Sequence, residues 1–385
     1  VQTDREGCMM RESPIVVGSK IRSRQPMTDT QIRMFISQGA ACYRLPFAYA
    51  LHGDEHDIAS LTARVHRMLT AHPGLASTFE YDGRGFFRTA RPDLIRHAVV
   101  TDAGPVESLF SFCADESHIP PLGPNALPVT AFRCTVGGQA HLVLEFHHIA
   151  VDGIGAVAVE ESLFPSGGGT VVEDAERIRL VYEHVAAAEK KWPRRPAVAT
   201  LPLPGGGPPA HGPELGRLRV DVATSSIADL ARRHRSFPRV AIQAAFEEWL
   251  HTVAAGSSYV WVSSWRYTLG IREVVANLPV LVVEEAGPHE DLRSRCTDLM
   301  LRTADPVLEP STAVAATADV VFSYEDFRYR TGRFISVDTY PRFALYARAV
   351  VDEGTTTIHL EFDRSRVDEQ LARSLLAHLD ETLTA

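Results

Sequence analysis

No stretch of this sequence is apolar over the roughly 18 residues a membrane helix requires; runs such as Val320-Val321-Phe322 are far shorter. No charged-then-apolar signal segment opens the chain, so neither membrane spanning nor targeting is expected. Cysteine is sparse: Cys8, Cys42, Cys113, Cys134 and Cys296 are odd in number and scattered, without C-x-x-C spacing. That argues against a disulfide framework, a thiolate zinc site or a redox couple, and predicts reduced thiols in a cytoplasmic protein. Blocks of one charge are missing too. The formal net charge of -9 is spread along the chain, which disfavours nucleic acid as the main partner. The glycine triplets 167–169 and 205–207 lack the Gly-Lys-Ser/Thr ending of a phosphate loop, and His52, His56, His66 and His72 lack metal-ligand spacing. No internal repeat of solenoid or propeller period is present. The first residue is Val1 rather than Met, which fits a processed product or a piece of a larger polypeptide.

What is present is ample core material. With 385 residues, 45% of them hydrophobic, the chain exceeds most single cores, and two domains are expected. Residues 193–213 contain Pro-Leu-Pro-Gly-Gly-Gly-Pro-Pro, which cannot hold a helix and offers few donors to a sheet. They read as a linker between an N-terminal lobe, 1–192, and a C-terminal lobe, 214–385.

Strand and helix signals alternate in both halves, predicting an α/β or α+β fold. Thr28 followed by Gln31 forms a capping box for a first helix. Strands are expected at Tyr43 to Leu51, Ser77 to Tyr81 and Phe86 to Arg88. Between the first two, Ile58, Leu61, Val65, Met68 and Leu69 make one helical stripe, closed by Pro73-Gly74. Val129 to Val136 and Ala140 to His148 form a hairpin across Gly137-Gly138. Helices are expected from Ala156 to Leu163 and Ala175 to Trp192. The second half predicts strands at Leu218–Val222, Tyr259–Trp265, Val280–Glu284, Ala318–Ser323, Phe343–Val351 and Thr356–Phe362. Its helices fall at Ile227–His234, Val240–Ala254 and through Leu371 to Leu383. The basic run Arg232-Arg233-His234-Arg235 is expected as a solvated helix end.

The chemistry concentrates at His147-His148-Ile149-Ala150-Val151-Asp152-Gly153. On a strand ending at His148, Leu142, Leu144, Phe146 and His148 share one face and Val143, Glu145 and His147 the other. One histidine can therefore line a cavity while the other packs inside. His148 is the better candidate for a proton acceptor, with an unperturbed pKa of about 6.5. Val151 to Gly155 reads as a turn in which Gly153 and Gly155 permit positive φ. Asp152 is either a catalytic orienter or an ion-pair partner setting the loop, and the ion pair is favoured because the chain has already turned. The residues do not choose a nucleophile.

His147-His148-x-x-x-Asp152-Gly153 resembles the HHxxxDG signature of nonribosomal peptide synthetase condensation domains and their acyltransferase relatives. Four of seven positions are fixed, and the motif lies at the end of a strand, as in that family. Pro26-Met27-Thr28 with Gln31, Leu69 to Phe79, Ser264-Trp265-Arg266, Leu278-Pro279-Val280 and Phe322-Ser323-Tyr324 resemble its other motifs in outline. The resemblance implies two chloramphenicol-acetyltransferase-like lobes in a V around a central tunnel. It implies acyl transfer from a carrier-protein phosphopantetheine thioester to an amine or hydroxyl, with no other cofactor and no metal. The acceptor would be a small molecule or carrier-bound, and the chain a monomer or part of a multidomain synthetase.

By the same resemblance His148 is the catalytic histidine, and Gly153 offers its N–H to the developing oxyanion. Asp152 pairs with an arginine, for which Arg266 is the candidate, and His147 supports the site from within. The chain also departs from the pattern. Ala76 stands where an Arg usually follows Leu, and Asn277 directly precedes Leu278-Pro279. The His-Gln-Asp…Pro-Phe-Glu segment is missing, and the second signature of the plant acyltransferases, Asp-Phe-Gly-Trp-Gly, is absent. A domain of this type that recruits a tailoring enzyme or gates a carrier protein is the alternative.

Overall fold

The computed structural model describes residues 24–37, 43–53, 55–165, 173, 175–197, 201, 214–266, 274–303, 306–308, 319–326, 334–337, 343–352 and 354–385. Cys8, Cys42, both glycine triplets and most of the expected linker lie outside them.

The first half runs β1 (Arg24–Pro26), α1 (Asp29–Ile36), β2 (Arg44–Ala50), α2 (Ile58–Ala71), β3 (Ser77–Tyr81), β4 (Phe86–Ala90), β5 (Val100–Pro105), α3 (Leu109–Ala114), β6 (Val129–Val136), β7 (Gln139–His147), α4 (Gly153–Leu163) and α5 (Ala175–Lys191). The second runs β8 (Leu215–Ala223), α6 (Thr224–Arg233), α7 (Pro238–Val253), β9 (Ser258–Ser264), β10 (Pro279–Glu285), α8 (Leu292–Arg302), β11 (Val320–Glu325), β12 (Phe334–Ser336), β13 (Leu345–Val351), β14 (Thr355–Asp363) and α9 (Glu369–Thr384).

Local chemistry accounts for many of these boundaries. The Thr28 hydroxyl accepts from Gln31 N–H at 3.2 Å and the Gln31 side chain accepts from Thr28 N–H at 3.2 Å, so α1 starts on a complete capping box. Asp57 caps α2 through Ser60 N–H. Gly137 and Gly138, with φ of 55° and 87°, make the two-residue turn that fixes the β6–β7 register. α8 falls outside the sequence expectation although its signals are present: an Asp291–Ser294 capping box and Leu292, Cys296 and Leu299 at helical spacing. The short β1, β5, α3 and β12 carry no comparable periodicity.

Two sheets organise the molecule, one of five strands ordered β12-β2-β7-β6-β5 and one of six ordered β10-β9-β11-β13-β14-β8. A small sheet, β1-β4-β3, flanks the first. Leu142, Leu144 and Phe146 of β7 are fully buried against α2 and α4, at roughly 1.5–3 kcal/mol of apolar burial apiece. Val143, on the opposite face, packs with Phe112 and Cys113 of α3. In the six-stranded sheet, Phe322, Leu345, Leu360 and Phe362 pack against α7 and α9.

The halves interlock. β12 leaves the second half to pair with β2, Ile335 opposite Ala48, and Val275 lies in the first lobe's core. At the start of the expected linker, Arg194 bridges Leu308, and Arg195 N–H donates to the Leu308 carbonyl at 2.9 Å.

Candidate active site

A cavity of about 580 Å³ lies between the two sheets. Its walls come from β2 and the His148–Ile154 segment on one side and from β8, β9, β11, β13 and β14 on the other.

β7 closes with His147, one residue earlier than expected, and residues 148–150 form a turn. The alternation still governs the outcome. His147 is buried on the Val143–Glu145 side, while His148 lines the cavity. His147 Nδ1 accepts from Ile149 N–H at 3.2 Å, bracing the turn from within. Beside it on the same face, Glu145 meets Arg44 at 2.9 Å, and burial pushes the Glu145 carboxyl up to about 7 against the pull of that guanidinium. Glu145, like His147, belongs to the interior rather than to the cavity.

Two groups crowd His148 Nδ1: the Val151 carbonyl oxygen at 2.8 Å and Asn277 Nδ2 at 3.0 Å. A carbonyl can only accept, and the Asn277 amide, which can only donate, has a nearer acceptor in the His148 carbonyl, so the Val151 contact sets the tautomer: Nδ1 carries the proton and the lone pair falls on Nε2. Asn277 Nδ2 donates to the His148 carbonyl at 2.6 Å, and the backbone N–H of Asn277 donates to Tyr182 Oη at 3.1 Å. His148 N–H donates to the Tyr43 carbonyl at 2.8 Å. Gln31, the residue of the capping box, donates to the Ile149 carbonyl at 3.1 Å, tying α1 to the motif.

The segment after Val151 corrects the sequence reading. Val151 to Gly155 is not a free turn, and neither Gly153 nor Gly155 adopts positive φ. Asp152 is the N-cap of α4, accepting from Gly155 N–H at 2.8 Å, so the helix begins at Gly153 rather than Ala156. The reason for Gly155 is space. A Cβ there would lie 2.8 Å from Val151 Cγ2 and 3.5 Å from the Val275 Cα. Gly153, as the first helical residue, has an N–H with no acceptor inside the helix, and it lines the cavity with Ile154.

Asp152 and Arg266 are in direct contact. Arg266 Nη2 lies 2.9 Å from Asp152 Oδ1 and its Nε 3.3 Å from Oδ2, with both residues buried. Leu278 N–H also donates to Asp152 Oδ2 at 3.1 Å, and Asp152 N–H to the Ala276 carbonyl at 3.2 Å. The carboxylate thus has its acceptor capacity filled by a helix start, a guanidinium and a strand entry. That makes it a fastener between the lobes. Asn277 and Gln31 were not among the expected site residues, although both stand in segments that resemble outlying motifs, the one signal that pointed to them.

No protein-family model matches this sequence, and no curated protein sequence does. Solved structures do match. The X-domain from teicoplanin biosynthesis superposes with a TM-score of 0.70 at 14% identity, over 96% of this chain and 96% of that one. A complex of the X-domain and OxyB from the same biosynthesis gives 0.67 at 15%, over 98% and 96%. The first condensation domain of the calcium-dependent antibiotic synthetase, in complex with a substrate analogue, gives 0.66 at 15%, over 94% and 97%. The chain therefore has the condensation-domain fold, the two-lobed α/β architecture expected from the histidine motif. Among the described residues no helix is long and apolar enough to cross a membrane.

Proposed function

We propose that this chain is an acyltransferase of the condensation type. It moves an acyl or peptidyl group from the phosphopantetheine thioester of a carrier protein to an amine or hydroxyl. The observation that carries the reading is His148, held at the wall of the inter-lobe cavity with its proton on Nδ1 and its lone pair on Nε2. The acceptor attacks the thioester carbonyl and Nε2 takes its proton. Collapse of the tetrahedral intermediate expels the pantetheine sulfur, which receives that proton. The Gly153 N–H at the start of α4 stabilises the oxyanion, helped by the positive end of the helix dipole. Asp152, Arg266 and His147 keep this loop in shape.

Intact-mass spectrometry of acyl carrier proteins with an acceptor panel tests the proposal. The native chain is expected to unload the carrier, and His148→Ala to do so at least about a hundredfold more slowly, in the range of general base catalysis. Undiminished turnover by His148→Ala would refute the role of His148. A second reading has its own observation in the X-domain solved as a complex with OxyB. On that reading the domain recruits a tailoring enzyme, and the outcome would be no turnover across the panel together with tight binding to such an enzyme.

A further inference from the structure

Ser162, His72 and Glu173 stand in the order of a hydroxyl, imidazole and carboxylate relay. His72 Nε2 lies 2.6 Å from Ser162 Oγ, and its Nδ1 lies 3.3 Å from Glu173 Oε1. Such a set activates a serine where a substrate can reach it. Here Ser162 and His72 are buried and none of the three lines the cavity, so the group serves another purpose. The Glu173 side chain is 5% exposed, and among the described residues no arginine or lysine pairs with it. A buried carboxylate is costly unless it is hydrogen-bonded. Besides His72, its partner is the Val275 N–H, which donates to Oε1.

Glu173 thereby spans two distant segments. Its backbone N–H donates to the Ala71 carbonyl at the end of α2 at 2.9 Å, while its side chain takes the Val275 N–H. Packing leaves this junction little play, since a Cβ on Gly74 would fall 2.6 Å from the Val275 carbonyl oxygen. Val275 leads into Ala276, whose carbonyl accepts from Arg266 Nη2 and from Asp152 N–H, each at 3.2 Å. That Asp152 N–H and the Val151 carbonyl are the two ends of one planar peptide unit, so fixing one end fixes the other. The Val151 carbonyl is the group that accepts from His148 Nδ1 and sets the tautomer. From Glu173 to His148 the route is therefore Val275, Ala276 and a single peptide plane. Replacing buried ion pairs by apolar groups is often neutral or stabilising, so fold stability alone does not call for a carboxylate at 173. An acceptor for the Val275 N–H does.

We propose that Glu173 is a positioning residue for His148. By holding Val275 against the end of α2 it fixes the Ala276 carbonyl, and through the Val151–Asp152 peptide it keeps the His148 proton on Nδ1. His72, backed by Ser162, keeps the carboxylate in place. This deepens the acyl-transfer reading and rests on it for what Nε2 does in catalysis, so the tautomer is measured without substrate or carrier protein and the two can fail separately.

The test is the nitrogen NMR spectrum of the full chain with isotope-labelled histidine rings, recorded above the pH range in which an imidazole is protonated. His148 is assigned by the signals that vanish in His148→Ala. The native chain is expected to show His148 with its proton on Nδ1, and a native proton on Nε2 overturns the proposal. Glu173→Gln keeps an acceptor of the same reach and is expected to leave these signals unchanged. Glu173→Asp keeps the charge but is one methylene short, and Glu173→Leu fills the space without an acceptor. Each is expected to raise the population of the Nε2–H tautomer about tenfold or more, the size of effect that one charge-assisted hydrogen bond carries. Leu379→Ala leaves a gap in the core of the second half and is expected to lower the melting temperature with the His148 signals unchanged. Native-like His148 signals in a folded Glu173→Asp or Glu173→Leu overturn the proposal. A tautomer shift of the same size in Glu173→Gln or Leu379→Ala does so too. Failure of both Glu173→Asp and Glu173→Leu to fold would make the bond part of the scaffold and equally overturn it.

Discussion

At the scale of single residues, Asp152 shows how one carboxylate of the histidine motif ties distant segments together. Its oxygens receive Gly155 N–H, the Arg266 guanidinium and Leu278 N–H, all in a buried setting. Removing Arg266 leaves an uncompensated buried charge, a loss of about 3–5 kcal/mol. Arg266→Met is therefore expected to lower the urea midpoint sharply, and a midpoint within error of the native chain would show that the pair is not structural. His148 is anchored differently. Its ring meets a carbonyl that holds the tautomer, and its backbone is held from both halves by Tyr43 and Asn277. The sequence made the two histidines and Asp152 conspicuous because they share one short motif. Gln31 and Asn277 stood in the outlying motifs that the resemblance picked out, but their bonds to the motif loop's backbone carbonyls were not legible, because a backbone acceptor carries no mark in the residue type.

At the scale of elements, the start of α4 is where local and tertiary demands meet. Gly155 weakens a helix by about 1 kcal/mol relative to alanine, yet alanine's Cβ would stand 2.8 Å from Val151, which is fully buried and stiff. Overpacking of about 1–3 kcal/mol outweighs the propensity gain. Gly155→Ala is thus expected to destabilise the chain by about 1 kcal/mol net, and a rise in melting temperature would contradict this account. Gly74 plays a related part. Its Cβ would fall 2.6 Å from the Val275 carbonyl oxygen, so glycine is what allows the end of α2 to approach the segment bearing Asn277. Neither requirement is visible in a helical or strand pattern. The amphipathic stripe of α2 and the β6–β7 hairpin were, because burial on one face and a two-glycine turn each leave a periodic or local mark.

At the scale of the whole molecule, the division at 193–213 proposes two lobes that the interlocking qualifies. The first lobe's sheet takes β12 at its β2 edge, its core takes Val275, and Asp152 reaches across to Arg266 and Leu278. A fragment of residues 1–213 would expose the β2 edge, open a gap in the core and strand a buried carboxylate. It is expected to aggregate or to give collapsed amide dispersion in a two-dimensional NMR spectrum. A well-dispersed, monomeric fragment would show that the first lobe stands alone. The cavity has the same dual origin, with His148 and Gly153 on one wall and Arg219, His359 and Arg348 on the other.

The helices and strands with strong periodicity, the histidine motif and, through its resemblance, the fold class are all readable along the chain. Each of these is written within a few consecutive residues or in a short repeat of apolar positions. The start of α4 at Gly153, the crossing of β12 to the first sheet and the hold of Asn277 and Gln31 on the motif loop emerge in the folded molecule. It alone brought Arg219, His359 and Arg348 from separate strands to the cavity that His148 lines. Those outcomes depend on strand register and on contacts between distant segments, and a pairing register moves every side chain of a strand together without leaving a trace in the strand's own pattern of residues.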